Sequence, residues 1–292
     1  MKKPVKKSRI PEDKAFVVKE LIAPYFDVNW HFHSEYQLFT ALEGRGTRFI
    51  GDHMQSFREG DMVLTGPNLP HLWRNDQAYF EPDSKLRTHG IVVYFPEDFL
   101  RNSVFELEEF ESIAQMLKKS QRGIAIFGET NRWIKSQMQA LLKDKGIERI
   151  LRFLNILEKI AESNECKQIA HVDYINTHKE SEKDRMGLVY EYVMQHFQNK
   201  VSLENVAALA NLSPSAFSRF FKARVNKSFS DFLTDLRIAH SCKLLHETDL
   251  NISEIAYESG FLTLSNFNKL FRERMQKTPG EYRREFFVSY GS

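Results

Sequence analysis

Cysteine and long apolar runs are both scarce in this chain. Its 292 residues include only two cysteines, Cys166 and Cys242, and neither has the spacing of a metal site or of a catalytic nucleophile. Two thiols are too few for a disulfide framework, so we expect both to be small apolar fillers of a protein in a reducing cytoplasm. No run of about 18 apolar residues is present, which predicts no membrane-spanning helix.

A signal peptide and a strong net charge are also missing. Residues 1–7 are basic but no apolar stretch follows them, so we interpret them as a solvated tail or as an arm that touches DNA or another domain. A net charge of +2 by itself predicts no nucleic-acid partner, yet from residue 183 onward 15 Lys and Arg residues stand against 12 Asp and Glu residues. The sequence contains neither a phosphate-cradling glycine loop nor a nucleophile elbow, so neither of these motifs points to an enzyme.

One motif near the C-terminus occurs twice, about fifty residues apart. The first copy runs from residues 203–207 through Asn211 to Phe217 and Phe221, and the second runs from residues 252–256 through Gly260 to Phe267 and Phe271. Each copy predicts a helix, a tight turn and a second helix, with a small alanine where the helices approach and a residue suited to a left-handed turn. Two such units predict two DNA-reading helices on one body.

The ends of these helices carry recognisable capping residues. Ser202 is a predicted N-cap of the first unit, and Ser213 followed by Pro214 predicts the start of its second helix. Asn251 with Glu254 three residues later resembles a capping box. Between the two units, apolar residues from 229 to 245 recur with helical spacing, which predicts one long connecting helix.

The second helix of each unit is expected to lie in the major groove of DNA, with its phenylalanines turned inward. The candidate DNA-contacting residues are Ser215, Ser218, Arg219 and Lys222 in the first unit, and Leu264, Ser265, Asn266, Asn268, Lys269 and Arg272 in the second. Arg219 can pair with guanine and Asn266 or Asn268 with adenine, whereas Lys222 and Arg272 suit phosphates. Ten basic residues cluster at or after these helices: Arg219, Lys222, Arg224, Lys227, Lys269, Arg272, Arg274, Lys277, Arg283 and Arg284.

Residues from about 187 to 286 resemble the DNA-binding domain of AraC/XylS-type bacterial transcription regulators. The matching residues include 203–207, 213–215, 236–239, 252–256, Gly260-Phe261, 265–267, Thr278-Pro279 and Arg283. The resemblance implies that the two units enter successive major grooves on one face of the DNA, and that the protein recruits RNA polymerase. The family usually has glycine where this chain has Asn226 and Gln276. Because glutamine adopts a left-handed conformation less easily, we expect the second of these turns to differ in shape.

The N-terminal part is predicted to be a β-barrel. Residues from about 17 to 95 are rich in aromatic and β-branched residues between turn signals, which indicates an antiparallel barrel or sandwich. His31-Phe32-His33, Gly60-Asp61 and Pro70-His71 resemble the two motifs of a cupin, a fold that often serves as the sensor before an AraC-type domain. The fold class is therefore α+β multidomain, with a cupin-like ligand-sensing barrel (1–95), a helical dimerisation and linker region (96–182) and a double helix-turn-helix domain (183–292). Helices are predicted at 133–142 and 147–160, and the interdomain linker at 163–183.

The cupin resemblance implies a polar site in the barrel. Metal-binding cupins use two histidines and a glutamate from the first motif and a histidine from the second; His31, His33 and His71 match, but Gln37 stands at the glutamate position. An amide is a poorer ligand than a carboxylate for a hard cation, although three histidines could still hold Zn, Ni or Fe(II). An effector site, a metal site and a structural role are therefore the alternatives. The candidate effector-binding residues are His31, His33, Gln37, Arg48, His71 and Trp73, with Trp30, Tyr36, Arg45 and Tyr94 as further polar or stacking groups suited to a ligand such as a sugar.

These patterns predict a cytoplasmic, homodimeric transcription regulator that binds double-stranded DNA and responds to a small molecule, with no obligatory cofactor. Two competing hypotheses make different predictions. A cupin metalloenzyme with an appended DNA-binding module would carry bound metal held by His31 and His71. A constitutive DNA-binding protein with a degenerate barrel would respond to no metabolite.

Overall fold

A computed structural model describes residues 10–11, 13–27, 31–99, 107–172, 174 and 183–290 of the chain. Trp30, one of the further candidates for the barrel site, lies outside these residues. Nine strands are found in the described part: β1 (Val17–Ala23), β2 (Tyr36–Glu43), β3 (Gly46–Ile50), β4 (His53–Phe57), β5 (Met62–Thr65), β6 (His71–Asn75), β7 (Thr88–Phe95), β8 (Ile124–Ile126) and β9 (Cys166–Gln168). They confirm the predicted antiparallel β-domain.

The strands form two facing sheets. One has the order β1-β7-β2-β5-β8-β9 and the other the order β4-β3-β6, and every pairing is antiparallel. Since side chains alternate along a strand, each sheet has an inner and an outer face. The inner faces enclose an apolar core built around Phe26, Phe39, Phe57 and Trp73. Aromatic rings therefore form much of the apolar core between the two sheets.

Three helices cover the outer face of the larger sheet: α1 (Glu111–Lys119), α2 (Gly128–Leu141) and α3 (Gly146–Ala161). Their buried residues, such as Ile134, Met138 and Phe153, pack with Leu38 and Val93 of the sheet in one core. Helices α2 and α3 confirm the two helices predicted for this region. Their apolar faces therefore pack against the larger sheet and complete the core of the barrel domain.

The region between residues 96 and 182 also contributes strands, which the sequence reasoning did not predict. Strand β8 pairs with β5, and β9 pairs with β8 at the edge of the larger sheet. Glu165 accepts hydrogen bonds from the backbone N–H groups of Glu129 (3.2 Å) and Thr130 (2.7 Å) and so caps helix α2. The described part of the predicted linker is therefore bound to the barrel as far as Tyr174, which is buried.

All the regular secondary structure in the described part of the C-terminal region is helical, as predicted. Its helices are α4 (Lys183–His196), α5 (Leu203–Leu209), α6 (Pro214–Val225), α7 (Phe229–Glu247), α8 (Ile252–Glu258), α9 (Leu264–Met275) and α10 (Pro279–Tyr290). Helix α7 confirms the predicted long connection, and it contributes to two separate cores. Its first half packs with α4 to α6 and its second half with α8 to α10.

The outer face of the smaller sheet packs against the first helical core. Phe49 lies 5.8 Å from the ring of Tyr190 on α4 and 6.1 Å from the ring of Phe232 on α7. An ion pair between Lys243 of α7 and Asp76 of the barrel borders this contact. The barrel and the first helix-turn-helix unit therefore share an apolar interface.

Both cysteines confirm the expectation of apolar fillers. Cys242 is buried in the second helical core, and Cys166 packs against the core beneath α1 to α3. Burial raises the pKa of the Cys166 thiol, and it raises the pKa of the Cys242 thiol to about 12. Neither thiol is therefore a reactive thiolate at neutral pH.

Candidate DNA interface and effector pocket

The first helix-turn-helix unit consists of α5 and α6. Ser202 accepts a hydrogen bond from the N–H of Asn205 (3.2 Å), and Ser213 accepts one from the N–H of Ala216 (3.3 Å), so both predicted N-caps are confirmed. In the turn between the helices, Asn211 has a φ of 53°. Asparagine tolerates this left-handed conformation better than most residues, because its short side chain can hydrogen-bond locally.

The second unit, α8 and α9, repeats this design with different residues. Asn251 and Glu254 form the predicted capping box, with reciprocal hydrogen bonds of 3.0 Å and 2.7 Å. Gly260 occupies the turn with a φ of +85°, and a Cβ placed there would lie 2.7 Å from the carbonyl oxygen of Phe197. Both the dihedral angle and the close approach therefore require glycine.

The two recognition helices, α6 and α9, each bury two phenylalanines and expose the opposite face. Phe217, Phe221, Phe267 and Phe271 are fully buried. The exposed residues include all ten candidate DNA-contacting residues: Ser215, Ser218, Arg219, Lys222, Leu264, Ser265, Asn266, Asn268, Lys269 and Arg272. Contact of these residues with DNA stays a prediction. Such contact requires exposed side chains, and all ten lie on the outer faces of α6 and α9.

Several of the clustered basic residues bind groups of the protein itself. Arg274 binds the carboxylates of Asp231 (2.8 Å) and Asp235 (2.7 Å), and Arg283 donates to the backbone carbonyls of Leu245 and Leu250. Arg224 lies over the ring of Phe220. The sequence shows the positive charges but not the carboxylates and carbonyls that bind them. Fewer of the ten clustered basic residues are therefore available for DNA than the sequence indicated.

The turns that follow the two recognition helices have the same shape, contrary to expectation. Asn226 has φ 57° and ψ 17°, and Gln276 has φ 57° and ψ 20°. The N–H of Gln276 donates to the carbonyl of Arg272 at 2.9 Å, as the N–H of Asn226 does to that of Lys222. Hydrogen bonding and packing thus impose the left-handed conformation on glutamine in spite of its side chain.

Replacing Gln276 with glycine is therefore expected to stabilise the second unit. Relief of the left-handed conformation is worth about 1 kcal/mol, offset in part by the greater flexibility of glycine in the unfolded chain. The free energy of unfolding of Gln276→Gly, measured by urea denaturation, should exceed that of the parent. Asn226→Gly is the matched control, for which the gain should be smaller. An equal or greater gain at Asn226 would contradict this explanation.

At one end of the barrel interior, His31, His33 and His71 form what we term the histidine cluster. Their ligand atoms all lie within 4.8 Å of one another. The amide oxygen of Gln37 lies 3.2 Å from Nε2 of both His33 and His71. Nδ1 of His33 is 3.0 Å from the carbonyl oxygen of Glu35, and Nδ1 of His71 is 2.8 Å from that of Leu69.

These contacts indicate the tautomers of His33 and His71. A carbonyl oxygen only accepts, so in each ring Nδ1 carries the hydrogen, and a neutral imidazole then has a lone pair on Nε2. Gln37 has to turn its NH2 group toward both Nε2 atoms, because its oxygen would meet two lone pairs. The alternative is two adjacent imidazolium ions in a largely buried site, which is costly. Backbone carbonyls that fix the Nδ1–H tautomer are also the usual support of metal-binding histidines.

Arg48 lies away from the histidine cluster, at the other end of the interior. It is 3% exposed and binds Oδ1 of Asp61 at 2.5 Å, while the indole N–H of Trp73 donates to Oδ2 of Asp61 at 2.9 Å. The rings of Trp73 and His71 are 5.9 Å apart. The six candidate effector residues therefore form a polar line through the barrel, with Trp73 in the middle.

This line opens into a cavity of about 870 Å³ between β4 and the β8–β9 edge, which we term the edge cleft. Its lining residues include Arg48, Gln55, Asp61, Asn131 and Lys167. The amide of Asn131 donates to the carbonyls of Gly60 (2.9 Å) and Ile126 (2.7 Å) and ties the β4–β5 turn to the start of α2. Helix α2 thus forms one wall of the cleft.

The further candidate residues for the barrel site lie in different parts of the barrel domain. The ring of Tyr94 is 5.3 Å from that of His33, so it lies beside the histidine cluster. Tyr36 stacks on Phe95 at 4.8 Å and packs with the core beneath α1 to α3, so its placement in the pocket was wrong. Arg45 pairs with Asp76. Adjacent residues of a strand face opposite sides, which explains why Tyr36 and Gln37 diverge.

Sequence reasoning missed Gln55 and Leu262, and it named Asp61 as part of a cupin motif but not as a site residue. Asp61 binds both Arg48 and Trp73, and its place in the cupin motif was the sequence signal that could have identified it. Gln55 accepts from Nη2 of Arg48 at 3.3 Å at the mouth of the edge cleft. Leu262, 88% exposed, stands beside the start of α9, where an apolar side chain can meet a thymine methyl group.

Comparisons with known proteins confirm both expected domains. A helix-turn-helix domain family matches residues 206–285 and a cupin domain family matches residues 19–78. The chain is 24% identical over 262 residues to the uncharacterized HTH-type transcriptional regulator YdeC of Bacillus subtilis, covering 87% of this chain and 85% of that protein. It is 22% identical over 255 residues to the Msm operon regulatory protein of Streptococcus mutans, covering 86% and 84%.

Among solved structures, the DNA-binding domain of AdpA in complex with a target DNA is similar to part of this chain. The identity is 23% and the TM-score 0.36, and the match covers 37% of this chain and 98% of that one. No helix in the described part of the chain is long and apolar enough to cross a membrane.

Proposed function

We propose that this chain, an AraC-type DNA-binding transcriptional regulator with an N-terminal cupin domain, is controlled by a small-molecule effector that binds in the edge cleft. The observation that supports the proposal is the buried polar line from Gln37 to Arg48, which ends in a cavity of about 870 Å³. Ligand sites of this size with a few fixed polar groups are typical of small-molecule binding.

A sensor role is favoured over catalysis by the state of the histidine cluster. The amide of Gln37 occupies the Nε2 atoms that would otherwise bind a metal, and the cysteine thiols have raised pKa values. Effector binding would then act on DNA affinity through the apolar interface between the smaller sheet and helices α4 and α7. A ligand shifts such an equilibrium only if it binds the two arrangements with different affinities.

The substitution Gln55→Trp tests the edge cleft, because Gln55 is exposed at its mouth and an indole would fill the space. A panel of sugars, carboxylic acids and amino acids is screened for a rise in the melting temperature of the full chain. A ligand at 100 times its Kd stabilises the folded state by about 2.7 kcal/mol. We expect at least one compound to raise the melting temperature of the parent but not of Gln55→Trp.

The matched control is Ile22→Trp, which adds the same ring to an exposed position of strand β1 outside the cleft. Ile22→Trp should retain the full response, and both variants should bind operator DNA like the parent in the absence of effector. A panel without any active compound, or a response that survives in Gln55→Trp, would count against effector binding at this place.

A metal-binding barrel is the second candidate, and the clustering of His31, His33 and His71 is what favours it. These three imidazoles would hold a divalent transition metal, which supplies Lewis-acid chemistry when bound. Gln37→Glu replaces the competing amide with a carboxylate ligand, so the affinity for Zn²⁺ or Ni²⁺ should rise by about 10-fold or more. Isothermal titration measures it, with His71→Ala as the control that should abolish binding. Absence of binding in both Gln37→Glu and the parent, or binding that survives in His71→Ala, would exclude a metal site here.

Dimerisation is proposed to use the exposed side of α2 and α3. Ile147 and Leu151, 66% and 53% exposed, lie one helical turn apart on α3, and Trp133 of α2 is also exposed. Contiguous exposed apolar residues on helices commonly mark protein–protein contacts. Pairing through this face would leave both recognition helices free for DNA. Contact with RNA polymerase is proposed from the resemblance to AraC-type regulators alone.

A further inference from the structure

A second cavity, of about 510 Å³, adjoins the edge cleft, and we term it the junction cavity. Asp52, His53, Ile169 and His171 of the barrel line it, together with Asn226 and Lys227 of the DNA-binding domain. His53 and Ile169 line both cavities, so the two are neighbours. Asn226 and Lys227 are the turn that ends recognition helix α6. A molecule in the junction cavity would therefore contact the barrel and the first helix-turn-helix unit at the same time.

The charges around the two cavities are mostly positive. Six cationic side chains line them against three carboxylates: Arg48, Arg58, Arg132, Lys135, Lys167 and Lys227 against Asp52, Glu59 and Asp61. Asp61 is already occupied by Arg48 and Trp73, and Asp52 accepts from the backbone N–H of His171 at 3.0 Å. Arg132 also pairs with Glu129, and Lys227 with Asp235, both carboxylates outside the lining, so a smaller positive excess remains at the two cavities.

Two buried nitrogen atoms at this place have no hydrogen-bond partner among the described residues. They are Nε of Arg48 and Nδ1 of His53. Burial, together with the positive charges of Arg48, Lys227 and Lys167, lowers the pKa of His53 to about 4. A buried polar atom without a partner is rare in folded proteins and calls for an explanation, such as a ligand.

We infer that the junction between these cavities binds the acidic group, a carboxylate or a phosphate, of a small organic anion, held by His53, Lys167 and Lys227. This inference rests on the proposed effector control. It specifies that the effector is an anion and that it contacts the DNA-binding domain. The remainder of the molecule would extend into the edge cleft, where the buried polar line begins.

Lys227 connects this site to both recognition helices. Its Nζ lies 2.9 Å from Oδ2 of Asp235 on α7, and Oδ1 of the same carboxylate lies 2.7 Å from Nε of Arg274, at the end of α9. Asp235 thus joins the ends of α6 and α9. An anion that draws Lys227 away from Asp235 loosens this link, so its binding changes how the two helices are held relative to each other.

The experiment measures anion binding to the full chain by isothermal titration at constant ionic strength. The probes are inorganic phosphate and citrate, with potassium chloride as the matched salt, because screening alone alters exposed charge pairs. The variants are Lys167→Gln, on the exposed side of β9, and Lys227→Gln, across the junction. Lys118→Gln, exposed near the end of α1, is the control. Operator affinity of each protein is measured with and without the probe.

We expect at least one probe to bind saturably, with Kd unchanged in Lys118→Gln and raised about 10-fold or more in Lys167→Gln and Lys227→Gln. Preference for phosphate or for citrate identifies the acidic group. Binding should also change the operator affinity of the parent but not of Lys227→Gln. No saturable binding beyond the chloride control, or equal Kd values in all four proteins, would overturn the inference.

The two proposals fail in different ways. If a neutral compound binds and Gln55→Trp abolishes its effect, the regulator is effector-controlled but the anion site is wrong. If no compound of any charge binds, effector control itself fails. Loss of anion binding in Lys167→Gln, whose substitution lies on the surface, shows that the effect of Lys227→Gln is not merely the loss of its ion pair with Asp235.

Discussion

Arg219→Ala is expected to weaken binding to the specific DNA site by about 1–3 kcal/mol, and Asn266→Ala by a similar amount. Both side chains are exposed on the outer faces of α6 and α9, where a major groove can receive them. Each loss should be confined to particular base pairs, because a bidentate side chain discriminates one base from the others. Fluorescence anisotropy with the selected operator and its single-base variants measures both effects.

Lys222→Ala is the matched control for a phosphate contact. Its loss should weaken binding to all sequences about equally and reduce the slope of log affinity against log salt by about 1. Operator affinity that is unchanged in both Arg219→Ala and Asn266→Ala would mean that these helices do not read the bases.

Phe267→Ala should destabilise the second unit by about 3–5 kcal/mol, since it removes a ring from a fully buried site. The ring lies 5.1 Å from that of Phe261 and 5.5 Å from that of Phe271, so its loss opens a cavity between α9 and the turn. Recognition helix α9 would lose its support, and specific DNA affinity should fall more than in Asn266→Ala. Urea denaturation followed by circular dichroism gives the change in free energy.

The control for this variant is Leu262→Ala, five residues earlier and 88% exposed. An exposed substitution of this kind changes stability by no more than about 0.5 kcal/mol. Leu262→Ala should therefore unfold like the parent while it tests the proposed apolar contact with DNA. A Phe267→Ala protein as stable as Leu262→Ala would show that the second unit does not depend on this core.

The interface between the barrel and the helix-turn-helix domain gives the proposed effector control a physical route. Phe49 of the barrel contacts Phe232 of α7 at 6.1 Å, and Phe232 contacts Phe221 of α6 at 5.4 Å. A ring of the barrel is thus separated by one side chain from the buried face of the first recognition helix. The Lys227–Asp235–Arg274 network is a second, polar connection. Closely packed contacts of this kind transmit a shift in one element to its neighbour.

The helix-turn-helix units were predictable because their information is local. N-caps, the capping box and the turn residues Asn211 and Gly260 act within a few residues of themselves, so the sequence displays them directly. Three-residue strands such as β8 have no room for a periodic pattern, and Glu165 caps a helix that begins 37 residues before it in the chain. A sequence pattern alone cannot identify partners that lie this far apart in the chain.

The barrel site was predicted less well for the same reason. His31, His33, Gln37 and His71 do converge, since their motif spacing fixes their strands and faces. Arg48 belongs to the other end of the interior because Asp61 and Gln55 bind it there. The junction cavity could not be foreseen, because Lys227 reaches the barrel only through the packing of α7 against β4.

Selection of bound DNA from a random library tests the central claim most directly. The two recognition helices present different residues, Ser215, Ser218 and Arg219 on one and Asn266, Asn268 and Lys269 on the other. The enriched sequence should therefore contain two unlike half-sites about one helical turn, roughly 34 Å, apart, and Arg219→Ala should relax one half and Asn266→Ala the other. Enrichment of a single half-site, or of no sequence at all, would contradict a regulator that reads DNA with both units.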